Sequence, residues 1–168
     1  MRNRPATTAT PATPRRAFTL IEVILVLVIV AIAAAVVIPH VIHTSSLQAV
    51  SAARMLTTDL QYAEGAAVAS QVPVTILFDT NAEKYTLCNA GGTLIHPVTK
   101  DLYVVDFASQ RGFKDVNIVS ANFGGAAQVT FDAMGAPNKA GTVVLQAGSH
   151  VYTVTVTAIT GKVTVQGS

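Results

Sequence analysis

The chemistry of this chain starts at Glu22, a carboxylate four residues inside an almost unbroken apolar run from Phe18 to Ile38. The run follows the basic pair Arg15-Arg16 and the small residue Ala17. An ionised acid at that depth in an apolar helix is costly in hydrocarbon and calls for a cationic partner. Opposite charges about 4 Å apart attract by about 4 kcal/mol at an effective dielectric of about 20, before desolvation is counted. Glu22 is therefore a candidate for contact with a cationic partner.

No other residue set carries an equally pointed pattern. His40, His43, His96 and His150 are scattered. His40 and His43 are three apart on a helix, but no Cys or carboxylate stands near them to complete a metal site. Asp101 and Asp106 flank a strand segment and read as solvated strand ends rather than an acid/base pair. Gly135-Ala136-Pro137-Asn138-Lys139-Ala140-Gly141 lacks the phosphate-loop spacing and reads as a turn. No Ser/His/Asp or Cys/His constellation has a supporting local context. The expectation is a chain with no catalytic residues, no metal and no cofactor, so any ATP-driven motion must come from a partner. Cys88 is the single cysteine. It excludes an internal disulfide and is expected to be a small buried hydrophobe.

The elements that must position Glu22 are legible from composition. Only 12% of the 168 residues are charged, against roughly 25% in a soluble domain. The mean hydropathy is +0.49. Four of the 11 Lys and Arg residues (Arg2, Arg4, Arg15 and Arg16) precede Phe18, which leaves seven against nine Asp and Glu in the remainder. The basic charge is thus a property of the N-terminal segment, where it signals a cytoplasmic N-terminus. Residues 1–14, rich in Thr, Ala, Pro and Arg, cannot build a core. At about 1.5 Å per residue, a helix from Phe18 to Ile38 would be roughly 32 Å long and would cross a bilayer core. Pro39 closes the run and is expected to kink the helix.

Beyond Pro39 the pattern is amphipathic. Ala49, Ala53, Leu56, Leu60, Ala63 and Ala67 recur at helical spacing along one face, to about Ala69. The period then changes to two. Strands are expected at Val72–Phe78, Lys84–Cys88, Leu102–Phe107, Val116–Ala121 and Gln128–Phe131. A closing meander follows over Thr142–Gln146, Val151–Ala158 and Lys162–Val165.

The stretch Arg15-Arg16-Ala17-Phe18-Thr19-Leu20-Ile21-Glu22 resembles the processing site of type IV prepilins and type II secretion pseudopilins. Ala17 stands where that family usually has Gly. The long helix, the strand after Pro73, and the pattern from Phe131-Asp132-Ala133-Met134-Gly135 through Gly161-Lys162-Val163 look like the H-type minor pseudopilins and the related FimT/FimU minor pilins. The calcium-binding loop of major pseudopilins is not evident. The resemblance implies an α+β fold, with a long N-terminal helix, half transmembrane and half amphipathic, packed on a C-terminal β-sandwich-like head. It implies a leader at 1–17, a transmembrane and filament-core helix at 18–39, an amphipathic helix at 40–70 and a periplasmic head at 71–168. It further implies cleavage between Ala17 and Phe18, N-methylation of Phe18, and a filament contact between Glu22 and the Phe18 amine of a neighbouring subunit.

The implied function is that of a minor pseudopilin, a non-enzymatic subunit of the type II secretion pseudopilus. The implied location is the inner membrane, crossed once, with the head in the periplasm. The implied partners are other pseudopilins or pilins, a prepilin peptidase, and an inner-membrane assembly platform with a cytoplasmic ATPase. Two rivals remain. One is a minor pilin of a type IV pilus, acting in assembly or DNA uptake. The other is an exported soluble domain cut by ordinary signal peptidase at Ala31-Ile32-Ala33 or Ala33-Ala34-Ala35, or led by Arg15-Arg16 as a twin-arginine signal. Glu22 is misplaced in such a signal. A nucleic-acid partner is not expected, because Lys162–Ser168 holds a single Lys and no Arg.

Overall fold

The computed structural model describes residues 19–167, with the side chains of 35–44 outside the description. The expected leader, Ala17 and Phe18 lie outside the described residues, as does the side chain of Pro39 at the expected kink. The chain divides into two compact units, Met1–Pro39 and His40–Ser168.

One helix, α1, spans Leu20–Ser70. Its start follows from Thr19, whose Oγ1 accepts the Glu22 N–H at 3.3 Å and so satisfies one of the otherwise orphaned first-turn donors. Glu22 also places a negative charge in the first turn, where the helix dipole favours it. The helix stops by a side-chain and backbone device together. Gln71 takes a left-handed φ of 55°, and its Nε2 donates to the Val68 carbonyl at 2.8 Å, satisfying one of the last helical acceptors. Pro73 follows immediately in the sequence.

In the first unit the described side chains, Leu20 to Ala34, are all exposed. Leu20 is 81% exposed and Leu27 62%. Among the described residues no helix is long and apolar enough to cross a membrane. The apolar run in the sequence continues from Ala35 to Ile38, whose side chains are outside the description.

The second unit is built on the remainder of α1. Ala49, Ala52, Ala53, Leu56, Leu60, Ala63 and Ala67 are all fully buried. Six of these follow from the spacing; Ala52 widens the stripe by one residue. The small alanines let the helix approach closely, while Leu56 and Leu60 each contribute about 1.5–3 kcal/mol by leaving water. The strands are β1 (Val74–Asp79), β2 (Lys84–Asn89), β3 (Gly92–Thr93), β4 (Val104–Asp106), β5 (Val116–Asn122), β6 (Gln128–Phe131), β7 (Gly141–Ala147), β8 (His150–Val156) and β9 (Val163–Gly167). All pairings are antiparallel. One sheet has the order β3-β2-β1-β6, with β4 also on β2; the other has the order β5-β7-β8-β9.

Period-two burial fixes the faces. Val74, Ile76 and Phe78 of β1, Tyr85 and Leu87 of β2, Val143 and Leu145 of β7, and Val154 and Val156 of β8 enter one core with the helix stripe. The architecture is therefore α+β, a long helix with two antiparallel sheets sharing its core, as expected.

Two local expectations need correction. The segment Leu102–Phe107 forms only the short strand Val104–Asp106. The flanking residues keep the register of the β2 pairing, with the Phe107 N–H donated to the Glu83 carbonyl and the Leu87 N–H to the Tyr103 carbonyl, while the Tyr103 N–H is drawn off to the Leu94 carbonyl. Cys88 is half-buried rather than buried. It lies on the face of β2 opposite Tyr85 and Leu87, the alternation having turned it away from the core.

Candidate assembly site

The functional features lie at two places, the N-terminal turn of α1 and the face of the second unit around Asp59. At the first, Thr19 and Glu22 stand at the Ncap and third helical position, the spacing of a capping box. Glu22 is exposed, and every neighbour from Leu20 to Ala34 is apolar and exposed. An exposed apolar helical surface of this extent is suited to lipid or to other helices. Of the other residues singled out from the sequence, Ala17, Phe18 and Pro39 are not placed by the described side chains, nor are His40 and His43.

The closing sequence pattern is brought together in space. Asp132 Oδ1 accepts the N–H groups of Met134 and Ala136, at 2.8 and 2.9 Å, and so folds a tight turn. Gly135 in that turn has φ 85° and packs against the helix at Val68 and Glu64; a β-carbon there would lie 3.1 Å from Val68 Cγ2. Gly161, at φ 63°, approaches the same spot, where a β-carbon would lie 3.3 Å from the Gly135 carbonyl oxygen. Gln71 ties the junction to the helix end by donating to the Ala133 carbonyl at 3.2 Å. The pattern that carried the family resemblance is thus a packing junction between two loops and the end of α1. The remainder of the Gly135–Gly141 segment is a loop that leads into β7.

The second place escaped the sequence reading. Asp59 is the one buried charged residue among the described ones, 6% exposed. Its Oδ2 accepts the Tyr85 hydroxyl at 2.5 Å and its Oδ1 accepts the Tyr103 hydroxyl at 3.0 Å. Burial raises the Asp59 carboxyl above its ordinary value, opposed by the two hydroxyl hydrogen bonds and by His96. Burial, followed by the charge of Asp59, also pushes Tyr85 and Tyr103 up. The helical signal was an acid adjoining Leu60 and three residues from Leu56. Its partners lie 26 and 44 residues away, beyond any local pattern. Tyr103 is further held by Tyr62 and His96, with ring centroids 5.3 and 4.4 Å away.

Asp101 is exposed, and Asp106 accepts the Ser109 N–H at 3.1 Å, a turn role. Among the described residues no group of three or more His, Cys, Asp or Glu is placed to hold a metal ion.

This architecture has counterparts among known proteins. The family model described as Type II transport protein GspH matches residues 52–161. The model described as Prokaryotic N-terminal methylation motif matches residues 13–38. Among solved structures, the minor pseudopilin EpsH from the type 2 secretion system of Vibrio cholerae is similar with a TM-score of 0.56 at 14% identity, covering 71% of this chain and 96% of that one. A second EpsH structure gives a TM-score of 0.54 at 13% identity, covering 70% and 92%. The type IV minor pilin FimU of Pseudomonas aeruginosa gives 0.52 at 20% identity, covering 74% and 92%. At these identities the structures speak for the fold. A comparison with curated proteins gives no match. The GspH model, by contrast, covers well over half of the sequence, from Ala52 on the buried stripe through Gly161 at the packing junction, and the chain belongs to the type II transport protein GspH family.

Proposed function

We infer that this chain is a minor pseudopilin, a structural subunit of the type II secretion pseudopilus that helps drive proteins across the outer membrane. The observation that carries this reading is the GspH match over residues 52–161, continued upstream by the methylation motif over 13–38. The FimU likeness rests on fold, so it fits a type IV pilus role without favouring it. As a pseudopilin the chain assembles with other pseudopilins in a filament.

The finer mechanism is a proposal in three steps. The chain inserts through residues 18–39 with the basic segment in the cytoplasm, and the head, 71–168, lies in the periplasm behind the amphipathic helix, 40–70. A prepilin peptidase cuts between Ala17 and Phe18 and methylates the new amine. The apolar helices then bundle, with Glu22 of one subunit against the Phe18 amine of the next, while an assembly platform and its cytoplasmic ATPase supply the work. In hydrocarbon an unpaired Glu22 is expensive, so only the correct axial register relieves it. Pro39 would let the helix bend where the apolar half ends. The exposed apolar surface from Leu20 to Ala34 supports the bundling step.

Two measurements test this. N-terminal sequencing after co-expression with a prepilin peptidase should return methylated Phe18; a start near Ala34 or Val36 would mean ordinary secretion. Glu22→Ala should be inserted and processed normally but be depleted from sheared filaments by about tenfold, in line with loss of a contact worth about 1–2 kcal/mol. Normal incorporation of that variant would sink the assembly role.

A further inference from the structure

A cleft of about 280 Å³ opens beside Asp59 in the second unit. Its polar wall is made by Asp59, His96, Asp101 and Gln110, and its apolar wall by Met55, Leu102 and Val104. The two walls call for different chemistry, and together they narrow what can enter.

The polar wall holds two carboxylates and no lysine or arginine. The hydrogen-bond partners of Asp59 are two tyrosyl hydroxyls, and among the described residues no cation pairs with it. A carboxylate has about four acceptor sites, of which these hydroxyls occupy two. A buried charge is stable only when paired or fully hydrogen-bonded. Asp101 adds a second carboxylate to the same wall. His96 bears on Asp59 through charge alone, without a hydrogen bond to it. Its Nδ1 accepts the N–H groups of Val98 and Thr99, both at 3.2 Å, and its face meets Tyr103 edge-on.

The apolar wall is equally specific. Leu102 is 60% exposed and Val104 43%, and Ile95 and Val98 nearby are 54% and 80% exposed. An apolar rim around a buried acid suits a long side chain with a methylene stem and a cationic end, which can cover the rim with the stem while the head reaches the acid. A bare metal ion would use none of that surface, and no group of three ligands is arranged for one among the described residues.

We propose that this cleft is a socket for the ammonium or guanidinium end of a lysine or arginine presented by a partner polypeptide. The proposal rests on the filament-subunit reading for the partner being a neighbouring subunit; the chemistry of the socket does not depend on it. The tyrosyl hydroxyls hold Asp59 rigid from the core side, so the cation meets a carboxylate already oriented. The apolar rim excludes water around the pair, which strengthens it.

The test is a titration of the full-length chain in detergent micelles, followed by amide chemical shifts. The probes are Nα-acetyl-arginine N-methylamide and its lysine counterpart, the uncharged norleucine analogue, and potassium and magnesium chloride. The arginine and lysine probes should shift the amides of Asp59, Thr99, Tyr103 and Gln110 saturably, and the norleucine probe should not. Asp59→Asn, which keeps a hydrogen-bonding side chain in place, should weaken binding by about tenfold or more, as expected for loss of a charge-assisted contact. Thr99→Lys, at an exposed cleft position, should block the probes by occupying the socket with a tethered ammonium, and it does not disturb the core if Asp59→Asn proves unfolded. Equal shifts from norleucine, equal shifts from the inorganic cations, or unchanged binding in Thr99→Lys would each overturn the proposal. Filament incorporation is scored separately. Probe binding without assembly would keep the socket and reject the filament reading, and assembly without probe binding would do the reverse.

Discussion

Two stretches of the same helix obey opposite rules. From Leu20 to Ala34 every described side chain is exposed, although nearly all are Leu, Ile, Val or Ala. From Ala49 to Ala67 a stripe of equally apolar residues is fully buried. Hydrophobicity alone does not separate them. The second stretch has polar residues on its outer face, such as Arg54, Thr58 and Gln61, and two sheets to cover its inner one. The described side chains of the first are apolar on every face apart from Glu22 and are exposed, a pattern suited to lipid or other helices as solvent. Burial within the chain therefore stabilises the head, whereas under the proposed function the contacts of the apolar half are made on assembly.

The comparison is broken most forcefully inside the buried stripe. Leu60→Ala should lower the stability of the head by about 2–5 kcal/mol, since it removes buried methyl groups and leaves a cavity between helix and sheets. Urea denaturation of the full chain in detergent, followed by near-ultraviolet circular dichroism, reads this directly; a loss below about 1 kcal/mol would mean the helix is only loosely docked. A smaller effect is expected where the helix end meets the two loops. Gly161→Ala forces a left-handed φ of 63° on a residue with a β-carbon and brings it within 3.3 Å of the Gly135 carbonyl. The expected cost is about 1–3 kcal/mol by the same measurement. A neutral result would show that the loop moves aside freely.

Much of this division is legible in the sequence because it rests on local spacing. The intervals between Ala49 and Ala67 by themselves mark six residues of the buried stripe. The closing strands are legible too, since β7, β8 and β9 are joined by short turns and pair with their chain neighbours. What escapes a local pattern depends on distant pairing. β6 joins β1 through Thr75 and Thr130, whose hydroxyls lie 2.8 Å apart but 55 residues apart in sequence. β5 joins β7 with a bulge at Ile118/Ser120 that no alternation pattern announces. Asp59 reads in sequence as one more helical acid, because the two tyrosines that make it a buried centre arrive from β2 and from the residue before β4. At the N-terminus the reverse holds. Glu22 is conspicuous in sequence, while its proposed partner belongs to another molecule, so one chain's geometry adds the Thr19 cap and little more.

The buried acid sharpens the contrast through pH. The carboxyl of Asp59 lies above its ordinary value of 3.8 in the folded head because burial disfavours its charge. A group whose value is raised on folding favours the folded state fully below its unfolded value, and that contribution is lost as pH rises through the folded value. Head stability should therefore fall as pH rises above about 4, and Asp59→Asn should flatten that slope. Thermal melts of both proteins at a series of pH values would decide it; identical slopes would mean that Asp59 is not the group responsible.

The smallest effect on folding is expected from the exposed half. Leu27 is 62% exposed on an apolar surface. Leu27→Ala deletes the same atoms as Leu60→Ala, yet it should change head stability by no more than about 0.5 kcal/mol, the range for substitutions outside any packed environment. Its consequence should instead fall on assembly, as reduced recovery in sheared filaments with normal membrane insertion. The pair of substitutions then separates two uses of one side chain. If Leu27→Ala lowered the denaturation midpoint as far as Leu60→Ala does, the apolar half would be part of the folded head, and the division of the chain between Pro39 and His40 would have to be redrawn.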